Sequence, residues 1–257
     1  MSKAILISSG KGGVGKTTTS INLAFALNTV GKKAVVLDGN LTTPNIGLHL
    51  GSSVTPITLN HVLQGRKHIY DAVYEHTSGV GVVPASISLD SVQDIKSARL
   101  NKSIQNLKKI ADFIIIDSAP GLGNETLLAL NSLSDKDEII VVTNPDVPSV
   151  VDALKTIKIA EKMNKNVRGV IVTRARNDRK ELSNKSIKEM LEKPILARVP
   201  EDDCVRESIM LKNPVVISHP KSRAAKSYKR LAAKIADVEY KEEKGFFRNI
   251  FEKIFRQ

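Results

Sequence analysis

The sequence predicts an α/β fold, a mostly parallel β-sheet with helices on both faces. Three observations predict it. Short β-branched runs recur along the chain without polar alternation, as strands covered on both faces do. Stretches with helical periodicity fill the intervals between them. A glycine-rich loop joins the first such run to the first such stretch.

In chain order, Ala4–Ile7 reads as a strand and residues 16–28 as the helix after the glycine loop. Ala34–Leu37 is a strand ending at Asp38, and Gly81–Val83 is a short one. Phe113–Ile116 ends at Asp117, and Ile139–Val142 ends at Thr143. Val170–Val172 ends at Thr173, and Ile195–Val199 ends at Pro200. Helical periodicity covers roughly 90–110, 125–133, 149–163, 183–192 and 221–236. Residues 1–236 form the expected main domain, 237–244 a polar linker, and 245–257 a separate C-terminal segment. The 257 residues contain no internal repeat.

Composition narrows the function classes. Hydrophobic residues are 41% and charged residues 26%, an ordinary globular balance. Cys204 is the single cysteine, so neither a disulfide framework nor a cysteine cluster for zinc or iron–sulfur can form within one chain. That argues against iron–sulfur carriers and fits a reducing, cytoplasmic compartment. No apolar run approaches the ~20 residues of a spanning helix, and the N-terminal run is too short for a signal peptide. The net charge of +12 is uneven. Residues 1–154 are neutral, 155–193 carry +7, 194–220 carry −1, and 221–257 carry +6. Such asymmetry points to an anionic partner, nucleic acid or a membrane surface, or to a solvated lysine-rich face.

The sharpest motif is Gly10-Lys11-Gly12-Gly13-Val14-Gly15-Lys16-Thr17, followed by Thr18. It matches G-x-x-x-x-G-K-[ST] and lies between a predicted strand and a predicted helix, the context a phosphate-binding P-loop needs. Glycines let consecutive backbone N–H groups curl around phosphate oxygens, and the following helix N-terminus favours negative charge. The motif assigns Lys16 to the β- and γ-phosphates and Thr17 to Mg²⁺.

With Lys11 as a second, early lysine, this loop resembles the deviant Walker A motif of the MinD/ParA ATPase family. The resemblance implies a P-loop fold, ATP/ADP and Mg²⁺ as ligands, and an ATP-dependent homodimer in which Lys11 reaches the partner's nucleotide. It extends along most of the chain. Asp38 stands where the family's first switch begins, and Asp117-Ser118-Ala119-Pro120-Gly121 looks like the Walker B and second switch. Asp38 and Asp117 are thus expected beside Mg²⁺ with Thr17. Thr173-Arg174 and Val199-Pro200-Glu201-Asp202 fall where family members frame the adenine, implicating Arg174, Pro200 and Asp202. Pro200-Glu201-Asp202 also reads as a plain helix start.

One position departs from the family. The second acidic residue of the first switch is Asn40 here. An amide can orient water but cannot take up a proton, and phosphoryl transfer relies chiefly on positioning. Slow hydrolysis is expected, with Lys11, Lys16, Asp38 and Asn40 as the catalytic set. Asn40 also suits a turn-shaping role.

Four of the six phenylalanines lie in the last twelve residues. On a helix, Phe246, Ile250, Ile254, Phe247, Phe251 and Phe255 span one face of about 180°, opposite Arg248, Lys253 and Arg256. Three uses are open: packing on the chain's own domain, docking in a partner's groove, or lying in an anionic membrane interface. About 12 helical residues span only ~18 Å, too short to cross a bilayer. The segment resembles the membrane-targeting helix of MinD-type family members. The expected role is an ATPase that attaches reversibly to the inner face of the cell membrane and positions a structure, with a protein activator or cargo adaptor. A DNA-binding segregation ATPase is the alternative, supported by the basic residues 155–193. A metabolic P-loop enzyme would leave the tail without a role.

Overall fold

The first strand, β1 (Lys3–Ser8), is apolar from Ala4 to Ile7, and the glycine loop after it leads straight into α1 (Lys16–Thr29). In this computed structural model, residues 2–52, 55–86, 96–176 and 178–240 are described. The predicted 245–257 helix, with Phe246 to Phe255, lies outside them, as do residues 241–244 of the linker and the first part of the predicted 90–110 helix.

The chain continues through β2 (Ala34–Gly39), the short helices α2 (Ile46–His49) and α3 (Leu59–Leu63), and a 3₁₀ turn (Ile69–Ala72). The hairpin strands β3 (Tyr74–Glu75) and β4 (Gly81–Val83) follow. Helices then alternate with strands: α4 (Ser97–Leu107), β5 (Phe113–Ser118), α5 (Asn124–Ser132), β6 (Glu138–Thr143), α6 (Val147–Lys162), β7 (Val167–Ala175), α7 (Asn184–Leu191) and β8 (Ile195–Pro200). Three helices close the described chain, α8 (Asp203–Met210), α9 (Val215–Ser218) and α10 (Arg223–Ala236).

The eight strands form one sheet in the order β3-β4-β2-β5-β1-β6-β7-β8. Only the edge pair β3–β4 is antiparallel. The predicted three-layer α/β fold is therefore the observed one. Side chains alternate between two cores because successive Cβ atoms point to opposite faces. Ala4 and Leu6 join Leu37, Ile116 and Val141 beneath α3, α4, α5, α6 and α7. Ile5 and Ile7 join Val36, Ile115 and Val142 beneath α1, α9 and α10. Both sets are buried, which explains why the strands read as continuous apolar runs.

Helix α1 lies between the sheet and α10, where Thr19 meets the Tyr228 hydroxyl at 3.2 Å. Every residue from Thr19 to Leu27 is buried, so α1 has apolar residues on all sides. From β1 the chain crosses over to β2 on one side, while β6, β7 and β8 extend the sheet on the other. That reversal of strand order opens a crevice at the C-terminal strand ends, where α/β sheets bind ligands. The loop 9–15 occupies it.

Candidate nucleotide site

The loop's backbone explains its glycines. Gly13 and Gly15 have φ of 79° and 87°, in the left-handed region that side chains disfavour. A Cβ on Gly10 would lie 2.2 Å from the Asp152 carbonyl oxygen of α6, so only glycine lets the loop approach that helix. The helix α1 starts at Lys16 with Gly15 as N-cap, no side-chain cap and no acid in its first turn. By contrast, α6, α7, α8 and α10 are capped by Asp146, Ser183, Asp202 and Ser222. The positive end of α1 is left for an anionic ligand. This cradle fits a phosphate chain.

The loop is braced from the sheet by Thr173. Its hydroxyl lies 2.6 Å from the Val14 carbonyl oxygen, 3.2 Å from that of Thr143 and 3.0 Å from Asn144 Oδ1. Asp117, at the end of β5, has no solvent exposure and gathers three partners. Thr17 Oγ1 donates to its Oδ2 at 2.6 Å, while Lys16 Nζ and Ser20 Oγ donate to Oδ1 at 3.3 and 2.9 Å. Asp38 lies beside Asp117 in the β2–β5 register. Two carboxylates, a hydroxyl and a lysine thus converge at the loop, an oxygen-rich donor set that suits Mg²⁺ beside phosphate.

Asp38 is buried, and its carboxylate accepts backbone N–H groups from Asn40, Asn45 and Ile46 at 3.2, 3.0 and 3.0 Å. Burial, and then the charge of Asp117, push its pKa up to about 7 despite those donors. Asn40 is also buried, and its side-chain oxygen accepts from Thr43 N and Oγ1 at 3.2 and 3.1 Å. The turn-shaping role is therefore realised.

Lys11 is half-exposed, with Nζ 3.8 Å from Asp146 Oδ1. Beside it opens a cleft of about 380 Å³ lined by Asn144, Asp146, Arg174, Arg176 and Glu201, among others. Arg174 is exposed with φ 54°. Pro200 ends β8. Asp202 is spent on backbone groups, accepting from Cys204 N at 3.1 Å and Ala224 N at 3.0 Å, which holds its carboxyl below the usual range. Of the Pro200–Asp202 segment it is Glu201 that lines the cleft, with its Oε2 buried and without a hydrogen-bond partner among the described residues.

The sequence reading missed Ser20, Thr173 as brace, and Glu201. Ser20 had a signal, since it lies one turn after Lys16 on the same helix face. The other two are joined to the loop only by the sheet.

Some of the basic residues of 155–193 form ion pairs. Lys155 meets Asp152, Lys158 meets Glu161 and Glu192, Lys193 meets Glu161, and Lys185 meets Glu189. Their acid partners Glu161, Glu189 and Glu192 belong to the same segment, so the pairs leave its net +7 in place.

Fold and site together define a P-loop nucleotide-binding protein. Comparison with known proteins places it further. The ParA family profile, described as NUBPL iron-transfer P-loop NTPase, matches residues 1–236. An uncharacterized ATP-binding protein of Methanocaldococcus jannaschii is 42% identical over 240 residues, covering 93% of this chain and 90% of the relative. The structure of the septum site-determining protein MinD with Mg-ADP from Pyrococcus horikoshii superposes with a TM-score of 0.84 at 33% identity, covering 91% of this chain and 96% of that one. The MinC:MinD cell division protein complex of Aquifex aeolicus gives 0.83 at 27%, covering 95% and 99%. The chain belongs to the ParA family of P-loop NTPases, which includes MinD.

Proposed function

We propose that this protein is an ATPase that dimerises on ATP, attaches reversibly to the inner face of the cell membrane from the cytoplasm, and positions a cellular structure. The Mg-ADP in its Pyrococcus relative supports the nucleotide and the ion. The partner in the Aquifex complex supports a protein adaptor or activator. The observation that carries the membrane role is the sequence pattern of residues 245–257, six large apolar side chains on one helical face and cations opposite.

At the site, the loop N–H groups and α1 cradle the phosphates while Lys16 neutralises their charge. Thr17, Asp38 and Asp117 hold Mg²⁺, which offsets charge developing on the phosphate oxygens. Glu201 offers its unpartnered oxygen to an exocyclic amine such as adenine's, which is a hydrogen-bond donor. Arg174 and Pro200 border that base. Lys11, half-exposed at the loop's rim, reaches the second nucleotide of the dimer. One short amphipathic helix holds a membrane weakly, and pairing two raises avidity by about 10²–10⁴. Hydrolysis, slow because Asn40 cannot accept a proton, then releases the dimer. Asn40→Asp is expected to raise the single-turnover rate. An unchanged rate would remove residue 40 from the water-positioning role.

The test is co-sedimentation with anionic liposomes in ATP, ADP or no nucleotide, for the intact chain and for residues 1–240. Pelleting that needs both ATP and residues 241–257 supports the proposal. No pelleting in any condition refutes it and turns attention to salt-dependent binding of random duplex DNA.

A further inference from the structure

Away from the nucleotide site, the shoulder formed by α8 and α9 carries a second group of chemistry-bearing side chains. Cys204 sits in the first turn of α8, Glu207 lies three residues on, and His219 caps the C-terminal end of α9. One ligand atom from each, a sulfur, a carboxylate oxygen and an imidazole nitrogen, lies within 4.8 Å of the other two. We propose that Cys204, Glu207 and His219 form a binding site for a divalent transition-metal ion of the zinc type, with a fourth position open to solvent.

The donor chemistry points to that class of ion. Thiolate, imidazole and carboxylate are the three ligand types zinc takes, and three protein ligands plus water is a common open arrangement. The His219 Nε2 and Glu207 Oε2 atoms are 3.2 Å apart. Two ligands bound at about 2.0–2.1 Å in a tetrahedron span nearly that distance.

The hydrogen bonds around His219 prepare the correct ring nitrogen. Ser218 Oγ lies 3.1 Å from the Pro214 carbonyl oxygen, which can only accept, so the hydroxyl hydrogen is spent there. Ser218 Oγ therefore accepts from His219 Nδ1–H, at 3.0 Å. With Nδ1 protonated, the neutral ring carries its lone pair on Nε2, the atom that faces Glu207. A lone pair opposite a carboxylate needs a cation between them, either a proton or a metal ion. Such an outer-shell hydrogen bond on the far nitrogen is how metal-binding histidines are oriented.

Burial, and then the carboxylates of Asp202 and Glu207, hold the Cys204 thiol above its ordinary range, and a divalent cation would offset that negative charge. On binding, the thiol proton leaves to solvent and the thiolate stays on the ion. Glu207 is 61% exposed, so the ion has a path in and out. A bound ion would tie the start of α8 to the end of α9. It would thereby pin the stretch after Pro200, whose Glu201 lines the cleft beside the P-loop. The site owes nothing to nucleotide chemistry and stands or falls separately from the proposed function.

The single cysteine makes the test unambiguous. The intact, nucleotide-free chain is titrated with Co²⁺, then with Zn²⁺ in competition. The expected result is one thiolate-to-cobalt charge-transfer band per chain, abolished by one equivalent of Zn²⁺ and absent in Cys204→Ser. His219→Ala and Glu207→Gln should each weaken Co²⁺ binding by at least tenfold. Melting curves without metal establish that the variants are folded. Alkylation of Cys204 in the unaltered protein should also slow at least tenfold when Zn²⁺ is present, a readout that needs no variant. No band at one equivalent, a loss below tenfold in either folded variant, or alkylation indifferent to Zn²⁺ would overturn the proposal and leave His219–Glu207 as an ordinary ion pair.

Discussion

Asp38 lies at the end of β2 with no exposed surface, and burial together with the adjacent Asp117 lifts its pKa from 3.8 to about 7. Between those two values the folded chain keeps a proton that the unfolded chain has lost. The Asp38 contribution to stability must therefore fall as pH rises from about 4 to about 7, by at most ~1.4 kcal/mol per pH unit for one proton. Asp38→Asn removes this group. The stability difference between the two nucleotide-free proteins should change steeply across that window and be flat above it. Parallel urea-derived curves would show that Asp38 does not titrate there. A divalent cation beside Asp38 should reverse the effect, because opposite charge favours the carboxylate. A divalent cation bound there would relieve the repulsion between Asp38 and Asp117.

The helices owe their ends to a few acids and hydroxyls. Asp202 serves two elements, capping α8 through Cys204 N and reaching Ala224 N at the start of α10. Asp202→Ala should cost about 1–2 kcal/mol in urea unfolding, and Asp202→Asn clearly less, since asparagine caps well. Equal losses would mean that the charge, not the cap, matters. The carboxyl's lowered pKa makes this contribution present above about pH 4 and lost as pH falls further. Long elements were legible because periodicity accumulates over several turns. The helices α4, α5, α6, α7 and α10 appear within a few residues of their expected places among the described residues. The short α2, α3 and α9, of four or five residues, and the two-residue β3 were not legible. They are too brief to show a period, and neighbouring layers hold them in place.

At the scale of the whole molecule, charge and assembly are the matters at issue. Ion pairs within 155–193 join α6 to the chain beyond α7 and leave the segment's net +7 in place. Exposed pairs of this kind contribute little stability. The proposed function gives Lys11 a part in assembly. In size-exclusion chromatography with ATP and Mg²⁺, the intact chain should elute as a dimer and Lys11→Ala as a monomer. A Lys11→Ala protein that still dimerises would assign the half-exposed lysine to its own Asp146.

The sequence by itself determined the fold class and the phosphate loop, which rest on local chemistry, apolar runs and glycine's backbone freedom, whereas the three candidate Mg²⁺ ligands were expectations from the motif and from family resemblance. Tertiary structure alone decided which groups meet across the chain. It set Thr173 beneath Val14, turned Asn40 toward Thr43, gave the cleft to Glu201 rather than Asp202, and gathered Cys204 and Glu207 with His219. It also decided the protonation of Asp38, because a pKa depends on burial and neighbouring charge, and neither is written in local residue order.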